Sequence, residues 1–226
     1  VNDPLSIERE IKSDSATHLW NVVLISVESL SGDYMKHFGY RYNITPFLDS
    51  LIPESLFFEN FYASGTRTVR GLEALSLAIP PTPGQSIVRR PNNENMFTMG
   101  SVLKDKGYDV NYIYGGNSFF DNMGYFFGHN GYGVLDKSNI PASFVNHTTA
   151  WGIDDEGTFN YTLGECDKSY KNGKPFFNHI MTVSNHRPYT YPDGRIDIPS
   201  SFKLVAGGVK YTDYAIHKFF HDRGFF

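Results

Sequence analysis

Glu28, Thr68 and His186 stand in three separate stretches, each built of residue types that can bind an anion or transfer a group. Glu28 closes the mostly apolar run Trp20-Asn21-Val22-Val23-Leu24-Ile25-Ser26-Val27-Glu28. Open parallel sheets bind ligands beyond the carboxyl ends of their strands, so an acid emerging there can reach a metal or a substrate. A helix N-cap partner or a plain strand-end surface acid is the alternative. The second stretch, Gly65-Thr66-Arg67-Thr68-Val69-Arg70-Gly71, lies between a predicted strand and a predicted helix. Free N–H groups and the positive end of the helix dipole gather at such a junction. A hydroxyl held there can attack and carry a phosphoryl group, which makes Thr68 the candidate nucleophile. Helix capping by Thr66 or Thr68 competes with that role. Arg67 and Arg70 favour an anionic ligand, because guanidinium pairs well with phosphate or sulfate. The third stretch is Asn185-His186-Arg187-Pro188-Tyr189, where His186 can donate to a phosphate oxygen or shuttle a proton. Alone it would read as an ordinary loop histidine; its place after a strand, like those of Glu28 and Thr68, puts all three at one edge of a sheet.

Two further patterns carry less. His217 and His221 have a spacing that can bind zinc, but no Glu follows His217 and no third ligand stands out, so they read as a surface pair. Asn43, Asn146 and Asn160 open glycosylation sequons, a pattern short enough to recur by chance.

The elements that must position these groups follow from periodicity. The unalternating run from Trp20 to Glu28 predicts a strand buried on both faces, placed centrally in a sheet. Thr45-Pro46 opens a short helix to Leu51, with Thr45 as N-cap. A second strand is predicted at Leu56 to Tyr62. A helix carrying Leu72, Leu75 and Ile79 is stopped by Pro80-Pro81. Helix from Met99 to Lys106 and strand from Asp109 to Tyr114 continue the alternation. Residues 115 to 140, rich in Gly, Asn and aromatics, predict a long loop. A helix from Asp154 to Tyr170, a buried strand from Phe176 to Val183 and a helix from Lys210 to Phe220 complete an α/β fold with a mostly parallel central sheet flanked by helices. Residues 1 to 19 form a polar lead-in, helical around Ile7 to Ile11; residues 20 to 226 form the domain.

Composition narrows the classes. The chain has 226 residues, with 20 Lys and Arg against 24 Asp and Glu, a formal charge of -4 that argues against a nucleic-acid binder. Cys166 is the only cysteine, which excludes an intrachain disulfide framework and a multi-cysteine zinc site. No run of about 18 apolar residues is present. The start, Val1-Asn2-Asp3-Pro4, is neither a signal peptide nor a methionine-initiated terminus, so the chain reads as a soluble piece of something longer. Aromatic residues at 16% point to thick packing layers or a flat-walled cleft.

Taken in order, several segments resemble the sulfatase-like extracellular domain of lipoteichoic acid synthases and related phosphoglycerol transferases. They are Asn21 to Leu30, Thr45 to Asp49, Gly65 to Ala74, Phe119 to Asn122, Trp151 to Glu156, Val183 to Tyr189 and Lys210 to Tyr214. The resemblance implies an alkaline-phosphatase-like α/β fold whose C-terminal part lies outside this chain. It implies a divalent metal, usually manganese with magnesium or zinc as alternatives, and a threonine that takes a phosphoglycerol group from a phospholipid headgroup and passes it to a glycan or glycolipid acceptor. On this likeness Glu28 is a metal ligand, Thr68 the nucleophile and second ligand, and His186 the substrate-phosphate histidine. Phe120, Asp121 and Asn122 stand where the family lines its glycerol-phosphate pocket, although the family's Trp and Arg are replaced. An Asp-His pair that completes the family's metal site follows the last helix there, and this chain stops at Phe226 without it. The expectation is therefore that the 226-residue chain binds metal weakly and turns over little. The likeness also implies an extracytoplasmic domain tethered by membrane helices upstream of it. A true sulfatase needs a Cys or Ser in C/S-x-P-x-R, which Cys166-Asp167-Lys168-Ser169-Tyr170 does not supply, and phosphoethanolamine transferases usually carry several disulfides. A non-catalytic envelope module binding anionic headgroups or glycans is the alternative from another class.

Overall fold

The computed structural model describes residues 18–222 together with Asp14 and Ala16; the helix expected around Ile7 to Ile11 lies outside the described residues. Four strands, β1 (Val22–Ser26), β2 (Asp109–Tyr114), β3 (Gly133–Leu135) and β4 (Phe176–Met181), form one sheet in the order β1-β4-β2-β3. Every pairing between them is parallel, with His179 of β4 registered between Leu24 and Tyr112. Among the described residues six α-helices flank the sheet: α1 (Pro46–Leu51), α2 (Thr68–Leu77), α3 (Met99–Asp105), α4 (Met123–Gly128), α5 (Asp155–Lys171) and α6 (Val205–His221).

The sheet separates two apolar cores. One joins Val69 and Leu72 of α2 to Tyr112, Phe126, Phe127 and Met181; the other joins Phe47, Phe159 and Leu163 to Ile180, Ala215 and Phe219. All six residues of β4 are buried, and β4 lies inside the sheet between β1 and β2. β1 instead occupies an edge of the described sheet and is half-buried, which corrects the central placement. Val22 and Leu24 pack on one core while Val23, Ile25 and Val27 pack on the other. An apolar run reports covered faces, whereas strand position depends on paired edges.

Three other expectations need correction. Leu56 to Tyr62 forms no strand, and Leu56, Phe58, Phe61 and Tyr62 stay exposed. Its β-prone composition finds no neighbouring edge among the described residues, and a strand needs one. The supposed loop from 115 to 140 contains α4 and β3, elements too short to show a period. α4 is secured where Phe127 stacks on Tyr112 of β2 with ring centroids 3.8 Å apart. Finally, Thr45 precedes α1 but its hydroxyl donates to Asp49. The first N–H groups of α1, on Phe47 and Leu48, donate instead to the Asp213 carboxylate of α6 at 3.1 and 2.8 Å. Burial pushes the Asp213 carboxyl up to about 6. The remaining boundaries fall within a few residues of expectation, except that α6 begins five residues earlier, at Val205.

Candidate functional site

Parallel strands end on one side, and the Glu28 and His186 stretches leave the sheet there, whereas Thr68 reaches the same place from the start of α2, the strand expected before it being absent among the described residues. Glu28 follows β1, and its backbone is clamped by the exit from β4: its N–H donates to Thr182 Oγ1 at 2.9 Å and its carbonyl accepts from Asn185 Nδ2 at 3.0 Å. Ser29, next in the chain, adopts φ 51° and donates from its hydroxyl to Glu28 Oε1 at 2.9 Å. The other carboxylate oxygen, Oε2, accepts from Thr68 Oγ1 at 2.9 Å. Thr68 is the first residue of α2, and the flanking Arg67 provides no side-chain cap, so the threonine hydroxyl sits with the helix's unpaired N–H groups.

His186 leaves β4 five residues after Met181. Its Nδ1 lies 3.1 Å from the Arg187 carbonyl, which can only accept, so Nδ1 carries the hydrogen and Nε2 is the ring's free nitrogen. The Trp151 indole packs against this ring with centroids 3.9 Å apart. A cavity of about 410 Å³ is lined by Glu28, Arg67, Thr68, Phe120, Asp121 and His186, six of the expected site residues. Tyr114 also lines it; burial first, then the Glu28 and Asp121 carboxylates, push its phenol up to about 12, so it remains a hydrogen-bond donor.

Two expected residues face elsewhere. The Arg70 guanidinium pairs with buried Glu73 at 3.2 Å and donates to the carbonyls of Thr82 and Gly84, fastening the chain after α2 onto that helix. Asn122 donates to Val88 O at 2.9 Å. Asp121 stays at the cavity but is paired with Arg89 at 3.3 Å, so its charge is matched. Arg67 has no carboxylate within ion-pair distance among the described residues, and it is the site's uncommitted cation. Residue chemistry alone passed over Ser29, Tyr114, Trp151 and Thr182; position at a strand end was a usable signal for Tyr114 and Thr182, and Ser29 and Trp151 were marked only as members of the segments that carry the family resemblance.

The donors available to a metal here are the Glu28 carboxylate and the Thr68 hydroxyl. Both are hard oxygen ligands of the kind magnesium and manganese take. They fit such an ion in type and supply two of the roughly six positions it fills. Among the described residues no group of three or more His, Cys, Asp or Glu could hold a metal. His217 and His221 lie side by side near Phe47, with ring centroids 4.3 Å apart, away from this cavity.

Comparison with known proteins gives a consistent picture. Residues 20–222 match the Sulfatase family. Lipoteichoic acid synthase 2 of Bacillus subtilis is 24% identical over 213 residues, covering 89% of this chain and 32% of that protein. Phosphoglycerol transferase I of Xanthomonas campestris is 25% identical over 182 residues, 74% of this chain and 25% of that one. A crystal structure of an alkaline phosphatase superfamily protein from Vibrio parahaemolyticus superposes with TM-score 0.83 and 37% identity, covering 89% of this chain and 49% of its own. The chain thus spans about half of that solved protein and about a third or less of the curated relatives.

Proposed function

From a chain that belongs to the Sulfatase family and has the fold of the alkaline phosphatase superfamily, we infer a phosphoglycerol transferase domain that works through an ester on Thr68. Relatives named lipoteichoic acid synthase and phosphoglycerol transferase support that reaction class. The observation carrying the reading is the 2.9 Å contact between Thr68 Oγ1 and Glu28 Oε2 within the cavity that His186 also lines.

In the first transfer, Thr68 Oγ attacks the phosphorus of a phosphatidylglycerol-type headgroup. The Oγ–P bond forms and the bond from phosphorus to the departing lipid alcohol breaks. The threonine proton passes to the Glu28 side, where it is already directed, and His186, entering this step as the imidazolium, gives its Nε2 proton to the departing oxygen and is left neutral. In the second transfer a hydroxyl of a glycan or glycolipid attacks the same phosphorus. The Thr68–phosphorus bond breaks, His186 takes the attacking proton and Thr68 recovers its own. Arg67 and the free N–H groups of α2 offset the charge on the phosphoryl oxygens.

Glu28 and Thr68 are also the residues to hold a divalent cation, manganese in first place and magnesium or zinc as alternatives. Such an ion supplies Lewis-acid stabilisation of the developing charge. We place the domain outside the cytoplasmic membrane, tethered by segments of the full-length protein; among the described residues no helix is long and apolar enough to cross a membrane.

Mass spectrometry of the full-length protein after incubation with phosphatidylglycerol tests the reading. A phosphoglycerol adduct on Thr68, absent in Thr68→Ala, is expected. An adduct on another residue rejects the assignment, and no adduct at all leaves the non-catalytic binding module.

A further inference from the structure

A second cavity of about 560 Å³ adjoins the reaction cavity, and Tyr114, Phe120 and Trp151 line both. Phe120 and Trp151 meet edge to face with centroids 5.6 Å apart and planes at 81°, forming the partition between the two spaces. Phe119 adds a fourth aromatic ring to the lining and is 90% exposed. Besides the Tyr114 phenol, the polar lining consists of Asn117 and Lys137, with no carboxylate. The Asn117 side-chain oxygen accepts from Phe119 N at 3.0 Å, which leaves its NH₂ facing no partner among the described residues. No carboxylate there lies within ion-pair distance of the exposed Lys137.

The walls are already set. The Asp136 carboxylate accepts from Ser118 N and Oγ at 3.0 and 2.7 Å, and Ile153 N donates to Gly115 O at 2.9 Å. A Cβ on Gly152 would collide with the Gly115 carbonyl, so the two wall segments touch backbone to backbone. Such a cavity needs little ordering on binding.

Resting on the transferase reading, we propose that this second cavity is the acceptor subsite and that it takes a sugar ring. A pyranose has flat C–H faces and a hydroxyl rim. Aromatic faces match the former, and the Asn117 amide and Lys137 ammonium donate to the latter. An acyl chain would leave both donors unpaired, and a polyanion would find a single cation. A ring held against Phe119 presents a hydroxyl past the Phe120–Trp151 partition to the phosphorus on Thr68. Phe119 and Lys137 are therefore positioning residues for the second transfer.

The test uses the full-length protein, with the part of the tryptophan emission that Trp151→Phe removes taken as the signal of Trp151. Its fluorescence is titrated with maltopentaose, laminaripentaose, cellopentaose and chitopentaose, and separately with short-chain phosphatidylglycerol micelles. At least one oligosaccharide is expected to shift the emission, with Phe119→Ala and Lys137→Ala each weakening it about tenfold and Phe119→Tyr restoring it. On the Thr68 adduct, the same variants should raise the acceptor KM about tenfold, with formation of the adduct from lipid within twofold of wild type. Absence of any oligosaccharide response overturns the proposal. So does lipid binding that Phe119→Ala abolishes, because the cavity then belongs to the donor. Oligosaccharide binding without any Thr68 adduct supports the sugar site and rejects the transferase reading instead.

Discussion

Asp155 and Ser184 cap one another: Asp155 N donates to Ser184 Oγ at 3.0 Å, and Ser184 N donates to Asp155 Oδ1 at 3.1 Å. The same carboxylate accepts from Val183 N at 2.8 Å and from Thr212 Oγ1 at 2.8 Å. The first turn of α5 is thereby fixed to the end of β4, two residues before His186. Asp155→Ala leaves buried donors unpaired and should cost about 2–4 kcal/mol in denaturant unfolding, with turnover falling further than stability explains. Asp155→Asn can still accept both backbone N–H groups and donate to Thr212, so it should recover most of both. Equal losses in the two variants would show that charge, not the clamp, matters.

Arg70 and Arg67 separate structure from substrate. Arg70→Ala leaves the fully buried Glu73 without its cation and should destabilise the protein by about 3–5 kcal/mol. Adding Glu73→Leu should restore much of the melting temperature. Arg67→Ala should change stability by less than about 0.5 kcal/mol while raising KM for the phospholipid roughly tenfold. A stable Arg70→Ala with a raised KM would return that residue to the binding site.

Two buried groups pull acid stability in opposite directions. Burial holds the His179 ring down from 6.5 to about 3, so the unfolded chain binds more protons between those values. Stability from this group is present above pH 6.5 and is lost as pH falls toward 3, by on the order of several kcal/mol. His179→Phe should flatten that loss in urea titrations run from pH 7 to 4. Asp213, raised from 3.8 to about 6 by burial, does the reverse: the folded state binds more protons in that window, so stability rises as pH falls through it. Asp213→Asn should therefore steepen the acid loss.

Manganese binding by the 226-residue chain should be weak, with Kd about 10⁻⁴ to 10⁻³ M by electron paramagnetic resonance, and Glu28→Ala should abolish it. A tight site that survives Glu28→Ala would place the metal elsewhere.

Chain order and local chemistry settled much of this protein in advance. The lengths of β2 and α3, the span of α5 and the buried β4 are all local properties, carried by periodicity and composition. Glu28, Thr68 and His186 were legible because each follows a strand or opens a helix, and parallel strands end together. The tertiary structure alone decided which side chains meet. Arg70 and Arg67 are three residues apart and equally cationic, yet one is consumed by buried Glu73 while the other faces the cavity. Likewise β1 looked central from its apolar faces, whereas edge position depends on strands distant in sequence. Local sequence encodes conformation and burial pattern; pairing between remote segments is set by packing of the whole chain, and the tilted contact of Trp151 with His186 arises only there.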